Sequence, residues 1–404
     1  MNGQQIVRTD SMKICVVGPS KRFFSGITNQ TIFLSNALAK RNQVSVLFLR
    51  NLLPRRLFPG HARVGKDQYV ANLTGSIDAF DGMDYNSPLS WLYAYRFLKR
   101  QKPDAIIMLW WTSSVAHMQL LIKKMNSLTI RSKIILEMHE VVDPIEENLL
   151  PLRLYSRVMG KCLTRGLDAY TTKSKFNKER VSQIYGIDGE KIYVVPLGLY
   201  EDFASAPDRD FARSQLGIKE GFVILYFGLI RHYKGVPYLI EAFNRFPEPV
   251  ANNSRLLIVG EIWEEGNMLR DMIEISLLKH RISLVDRYVP DDMLPTYFAA
   301  ADVVALPYLR SAGSAVAHMA ITYGKPIVLS DVEALRETVG GYPGAQFAPP
   351  GDSNAIRERL LEIYRAIESG KNLGYSPSHP TWDDIAKLYE DIIRQLISGD
   401  GKTR

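Results

Sequence analysis

Cysteine is nearly absent: Cys15 and Cys162 are the only two in 404 residues. Two thiols make neither a disulfide framework nor a zinc knuckle, and such low usage fits a reducing compartment. Neither C-x-x-C nor H-E-x-x-H occurs, and His139-Glu140 has no second histidine at the required spacing, so no metal is expected. The phosphate signatures G-x-x-x-x-G-K-[ST] and G-x-G-x-x-G after a strand are also missing. Their absence argues against a P-loop NTPase and against an ordinary dehydrogenase. No window reaches the roughly 18 continuous apolar residues of a membrane span. The longest runs, such as Ala105 to Trp111, have strand length, and Ile14 to Val17 breaks at Gly18-Pro19, too short for a signal-peptide core. The expectation is a soluble or peripheral, cytoplasmic protein.

What is present is an ordinary globular composition, 46% apolar and 23% charged. At about 100–200 residues per domain the length suggests two or three domains, each able to bury its own core. The 50 Lys and Arg against 43 Asp and Glu leave a net charge of +7. That excess is uneven. Lys40, Arg41, Arg50, Arg55, Arg56, Arg63 and Lys66 fall in a segment without a single Asp or Glu. A solvated loop accounts for it as well as an anionic partner does.

Short apolar runs alternate with segments of helical period, the pattern of parallel sheets covered by helices. The pattern occurs twice. The first series predicts strands at Lys13 to Gly18, Val44 to Leu49, Ala105 to Trp110, Lys133 to Met138, Ala169 to Thr172 and Tyr193 to Pro196, with a helix over Asn29 to Lys40. The second predicts Val223 to Phe227, Arg255 to Val259, Ile282 to Val285, Val303 to Leu306 and Pro326 to Leu329, followed by helices over Asn354 to Ser369 and Thr381 to Ile397. Leu199 to Arg213, acidic and polar, reads as an interdomain connection. The fold class is therefore α/β, two Rossmann-like doubly wound domains facing a cleft. The first runs over residues 1–200 with 1–11 a flexible tail, the second over 201–380, and 381–404 is a last helix returning to the first domain. Ligands of such folds bind outside the carboxyl ends of the strands.

Two segments carry chemistry. In Phe227-Gly228-Leu229-Ile230-Arg231-His232-Tyr233-Lys234-Gly235 a strand ends at Gly228 and a short turn presents two cations three residues apart before a helix opens. Arg231 and Lys234 would project from the strand end, where a guanidinium and an ammonium can hold a diphosphate. A pair of solvated surface cations has the same spacing. In Arg310-Ser311-Ala312-Gly313-Ser314-Ala315-Val316 small residues precede a helix, so that backbone N–H groups can approach an anion at its start. A helix packed tightly on the sheet needs the same small residues.

With these residues in view the chain resembles a GT-B glycosyltransferase of the retaining, family 4 type, from Met12 to about Ile397. The landmarks are Gly18-Pro19 to Gly26, Met138-His139-Glu140, Thr172-Lys173-Ser174-Lys175, Val194-Val195-Pro196-Leu197-Gly198, Gly228 to Gly235, Tyr288-Val289-Pro290-Asp291, Ala300-Ala301-Asp302, Tyr323-Gly324-Lys325-Pro326, Ser330-Asp331-Val332 and Trp382. Each is weak alone; their order and spacing are specific. The resemblance implies transfer from a nucleotide-diphosphate sugar, without a metal, to a glycan or lipid-linked acceptor in cell-surface polysaccharide or glycoconjugate synthesis. It places the diphosphate on Arg231, Lys234 and the helix start at Ser314 and Ala315, and His139 against the donor sugar. Gly26 falls on the sugar and acceptor side, Tyr288 and Val289 at the base pocket, and Gly228, Ser311 and Gly313 along the donor site. His139 and the Trp110-Trp111 pair also fit plain structural roles.

The sequence departs from the family at one point. The positions of a Glu-x7-Glu pair are taken by Ser311 and Met319, neither a carboxylate, while Glu333 or Glu337 is available to contact the nucleotide instead. A non-catalytic glycan- or nucleotide-sugar-binding homologue and a nucleotide-sugar epimerase of the same fold are the alternatives. Arg55, Arg56 and Arg63, set among Leu52, Leu53, Leu57 and Phe58, suit an anionic membrane surface at about 1 kcal/mol per cation, at the inner face of the cell membrane. No nucleic-acid recognition module is present.

Overall fold

The computed structural model describes residues 11–22, 26–52, 72–139, 150–201, 205–376 and 379–399. Arg55, Arg56 and Arg63 lie outside the described residues. The chain divides into two compact units. One comprises Met1–Lys173, Asn177–Val195 and Trp382–Arg404; the other comprises Ser174–Phe176 and Pro196–Thr381.

The first unit holds a seven-stranded parallel sheet. Its strands are β1 (Lys13–Pro19), β2 (Gln43–Asn51), β3 (Asp78–Asp84), β4 (Ala105–Trp110), β5 (Lys133–Met138), β6 (Ala169–Thr172) and β7 (Ile192–Val194). They lie in the order β3-β2-β1-β4-β5-β6-β7. β4 is buried at every position, as a strand covered on both faces must be, and its sequence AIIMLW is apolar throughout for that reason. The C-terminal helix Trp382–Gly399 belongs to this unit. Trp382 packs on Phe33 with ring centroids 5.8 Å apart, and Glu390 accepts from Arg41 Nε at 3.0 Å and Asn42 Nδ2 at 2.8 Å.

The second unit repeats the plan with six parallel strands. These are β8 (Phe222–Phe227), β9 (Ser254–Val259), β10 (Ile282–Val285), β11 (Val303–Leu306), β12 (Ile327–Ser330) and β13 (Ala345–Ala348), in the order β10-β9-β8-β11-β12-β13. Both sheets thus reverse direction beside their first strand, between β1 and β4 and between β8 and β11, and such reversals open a crevice at the strand C-terminal ends.

Three expectations are corrected. β3 and β13 are edge strands without an apolar run: DAFDGMD carries three aspartates on a half-exposed edge, where charge is tolerated, and AQFA keeps only Ala348 buried. The segment read as a connection contains a helix, Arg209–Leu216, capped by Asp208, whose carboxylate accepts from the Asp210 and Phe211 N–H groups. The first helix runs over Gly26–Ala39 and starts three residues earlier than its apolar stripe suggests, because Thr28, Asn29, Gln30 and Thr31 are buried.

Close backbone approach at the β8–β11 reversal demands glycine. Gly235 has φ +66°, and a Cβ there would overlap the Pro307 carbonyl oxygen. Gly370 has φ +77° with no atom within 4 Å of such a Cβ. Gly370→Ala should therefore cost about 1 kcal/mol, the backbone strain alone. Gly235→Ala should cost clearly more, because the carbonyl must also shift. Denaturant unfolding of the two variants compares them, and equal losses would contradict the close approach.

Candidate functional site

In the second unit the β8–β11 reversal brings together the two motifs picked out in the sequence. β11 pairs with β8 through Val303 with Ile224 and Val304 with Leu225. The turn after β8 and the turn after β11 therefore leave the sheet side by side. They are joined by Leu309 N–H donating to the Tyr233 carbonyl at 2.8 Å. Gly228, φ +114°, lies against the helix that follows β11: a Cβ on it would stand 3.4 Å from Val316 Cγ2.

Arg231 sits just before a short 3-10 turn, His232–Lys234, and its side chain is 11% exposed. Its Nε donates to Glu264 Oε1 at 3.1 Å, and its guanidinium lies 5.2 Å from the Tyr233 ring. Burial alone would raise the Glu264 carboxyl, but the His232 N–H and the Arg231 guanidinium outweigh it and hold the group below its ordinary value. Lys234 Nζ stands 3.7 Å from the Tyr308 ring centroid and 5.0 Å from that of Tyr233, and Arg310 stacks 5.7 Å from the same Tyr233 ring. Three cations thus surround Tyr233, held by attraction to ring faces. Burial pushes the Tyr308 hydroxyl up to about 12, so it remains a neutral donor or acceptor, 3.4 Å from Ser314 Oγ.

Ser314 is the N-cap of the helix Ala315–Thr322: its Oγ accepts from Ala317 N–H at 3.2 Å. The N–H groups of Ala315 and Val316 belong to the first turn, which has no intrahelical acceptor for them and carries the positive end of the helix dipole. Ser311 Oγ donates to the Gly313 carbonyl at 2.8 Å, which folds the loop ahead of the helix. Cations and amides are thus gathered where an anion of diphosphate size can be held.

The remaining candidates are spread over both units. Val289 is buried and Tyr288 partly so, after β10. Met319 is buried in its helix. The Glu337 carboxylate accepts from the Lys175 and Phe176 N–H groups at 2.5 and 3.1 Å. Lys325, from the Tyr-Gly-Lys-Pro landmark, donates to the Ala299 and Ala301 carbonyls at 3.3 and 2.8 Å, and burial lowers it to about 8. Gly26 opens the first helix of the first unit. In that unit His139 follows β5, its N–H bonded to the Trp110 carbonyl at 2.9 Å. Sequence reading missed Glu264, Tyr308 and, in the first unit, Glu137, and it gave no role to Tyr233 or Lys173 within the segments it singled out. The only signal available for Glu137 was one carboxylate inside an otherwise apolar strand. Among the described residues no group of three His, Cys, Asp or Glu side chains is placed to hold a metal ion, and no helix is long and apolar enough to cross a membrane.

Burial keeps the His139 imidazole below its ordinary pKa of 6.5, against the pull of Glu137. His379 is shifted the same way, also by burial. The unfolded chain then binds protons that the folded chain refuses, so stability must fall as pH drops below the ordinary histidine range. Unfolding free energy measured from about pH 7 down to about pH 5 should decline, and His139→Gln should make the decline shallower. An unaltered slope in that variant would show that His139 is not held neutral.

Comparison with known proteins adds to this geometry. The family model described as Glycosyltransferase Family 4 matches residues 24–203, and that described as Glycosyl transferases group 1 matches residues 208–376. The chain is 29% identical over 256 residues to a D-inositol 3-phosphate glycosyltransferase of Xylanimonas cellulosilytica, covering 59% of this chain and 60% of that protein. It is 28% identical over 196 residues to a GDP-mannose:glycolipid 4-beta-D-mannosyltransferase of Xanthomonas campestris, covering 47% and 54%. The chain thus matches less than two thirds of the length of these curated relatives. Among solved structures, sucrose-phosphate synthase from Thermosynechococcus elongatus superposes with a TM-score of 0.73 at 16% identity, over 96% of this chain and 99% of that one. This likeness shows the fold.

Proposed function

The chain belongs to the GT-B glycosyltransferases of the family 4 type, and on that footing we propose that it moves a sugar from a nucleotide-diphosphate sugar to a glycan or lipid-linked acceptor, with retention at the anomeric carbon. The observation that carries the reading is the convergence of Arg231, Lys234 and the Ser314 helix start at the β8–β11 reversal. Breaking the bond between the anomeric carbon and the diphosphate oxygen leaves negative charge on the departing diphosphate. Fixed cations and N–H groups aimed at that charge stabilise it without reorganising. The acceptor oxygen bonds to the same carbon on the face the diphosphate leaves, and its proton passes to the departing phosphate oxygen or to solvent. The chain's own cations carry the charge in this scheme, with no metal or cofactor assigned a step.

Support for a lipid-linked acceptor comes from the name of the Xanthomonas relative, a glycolipid mannosyltransferase. Cell-surface polysaccharide or glycoconjugate synthesis in the cytoplasm is the setting this implies. Ser311 and Met319, standing where the family carries its glutamate pair, favour a second reading: a homologue that binds nucleotide sugars without consuming them.

Replacing Arg231 or Lys234 by alanine should each lower donor turnover by about 10²–10³-fold. The unfolding temperature should stay near that of the parent, since neither side chain is part of the core. Donor consumption with UDP-, GDP- and ADP-sugars measures this. Near-normal turnover in both variants would overturn the assignment, and nucleotide binding without any donor consumption would select the second reading.

A further inference from the structure

The sheet of the first unit carries a concave site at the end where β4 and β5 begin. Ligands of such sheets ordinarily bind at the other end, outside the strand C-termini. The length of β5, Lys133–Met138, separates the two ends by about 20 Å. The cleft has a volume of about 420 Å³ and is lined by Lys99, Lys102, Arg131 and Lys133, with Asp104 and Ile397 among its other walls.

Most of this positive charge is unanswered. The Asp104 carboxylate accepts from the Lys13 N–H at 2.7 Å, and Lys133, with a side chain 18% exposed, pairs with Asp168 at 3.3 Å. Lys99 Nζ stands 5.9 Å from the Tyr95 ring centroid. Among the described residues the side chains of Lys102 and Arg131 have neither a carboxylate partner nor a hydrogen bond, to helix-end carbonyls or to anything else.

The backbone shows that these two side chains are not there for stability. Lys102 ends the helix Pro88–Gln101 with φ +44°, and Arg131 ends the helical turn Asn126–Ile130 with φ +64°. Glycine adopts this left-handed conformation without strain, and Gly217 and Gly235 do so at two other helical ends. Among the described residues only Lys102, Arg131 and Glu265 have positive φ without being glycine. Two of these three therefore line one cleft, and strain of this kind gathers at functional sites. The two turns are also fastened together. The buried Asn126 side chain donates to the Ser132 carbonyl at 2.8 Å and accepts from the Ser132 N–H at 2.9 Å, while the Ser132 hydroxyl donates to the Pro103 carbonyl. The Lys133 N–H donates to the Asp104 carbonyl at 3.0 Å. Lys102 and Arg131 thus project from one fixed frame.

We propose that this cleft binds a small soluble molecule bearing two or more phosphate groups. Lys99, Lys102 and Arg131 lack carboxylate partners, and one phosphate group, with at most two charges, leaves that trio unbalanced. A guanidinium can take two phosphate oxygens at once, and the ammonium groups act as point charges beside it. Ile397, 42% exposed, gives an organic portion of the ligand an apolar wall. A concave cleft at strand ends receives a molecule of this size and not the plane of a bilayer. The site belongs to the first unit and is independent of the diphosphate crevice in the second.

The test is calorimetric titration of the full chain with tripolyphosphate at about 0.15 M salt, where loose counter-ion attraction is screened. Arg231→Ala and Lys234→Ala are introduced first, to silence the crevice of the second unit. This chain should still bind tripolyphosphate, and orthophosphate at least tenfold more weakly. Adding Lys102→Gln/Arg131→Gln, which removes the charge and keeps the left-handed backbone, should weaken tripolyphosphate at least tenfold. Lys102→Gly/Arg131→Gly should weaken it equally, with an unfolding temperature no lower than that of its parent, because glycine relieves the strain. No binding by the crevice-silenced chain, undiminished binding by the glutamine variant, or equal affinity for orthophosphate would overturn the proposal. A lower unfolding temperature in the glycine variant would assign the two cations to the fold and overturn it as well. Cosedimentation with phosphatidylglycerol vesicles that the glutamine variant abolishes, without tripolyphosphate binding, would replace the soluble ligand with a lipid surface.

Discussion

The pairing of β11 with β8 is the constraint on which the candidate site depends. β8 receives β9 on one side and β11 on the other, so the connections after β8 and after β11 depart from neighbouring strand ends. Parallel register does the rest. Once Val303 lies beside Ile224, the turn carrying Arg231 and Lys234 and the turn carrying Arg310 to Ser314 must share one crevice, although they are far apart in the chain. The price of that proximity is paid in glycine. Gly235 approaches the Pro307 carbonyl and Gly260, at the end of β9, approaches the Gly228 carbonyl, so closely in each case that a Cβ would overlap the oxygen. A side chain at either position would push the two turns apart, and the cations with them.

Charge in this crevice is organised around rings. Arg231, Lys234 and Arg310 lie over Tyr233 or Tyr308, whose ring faces attract cations. Glu264 pairs with Arg231 and fixes its guanidinium before any ligand arrives. The first unit works differently. There a buried carboxylate and ammonium on β5 and β6 are satisfied by each other and by a tyrosine on the C-terminal helix.

Much of this was legible in the sequence, for physical reasons that also mark the boundary of what was not. Strands covered on both faces must be apolar along their length, so β1, β4, β8 and β11 stood out as runs. β3 and β13 lie at sheet edges, where one side meets solvent and aspartate or glutamine is tolerated, and no run marked them. Arg231 and Lys234 could be picked out because a strand, a glycine and a helix frame them within nine residues. Tyr308 and Glu264 could not, since their meaning comes only from strands that pair across long stretches of chain. Glu137 was hidden for the same reason, and although Lys173 stood in a landmark, its pairing with Glu137 shows only when β5 and β6 are set side by side. Glu337 was weighed as a nucleotide contact, and its carboxylate accepts from two backbone N–H groups at the start of a helix.

The central claim is that a nucleoside diphosphate group is held in the crevice between the ends of β8 and β11. Hydrogen–deuterium exchange of the intact chain, with and without saturating UDP, GDP or ADP, tests it most directly, because amides that bind the diphosphate become protected. The account predicts that at least one of these nucleotides slows exchange in Arg231 to Gly235 and in Gly313 to Ala317. Protection confined to other segments, or none with any of the three at saturation, would contradict it.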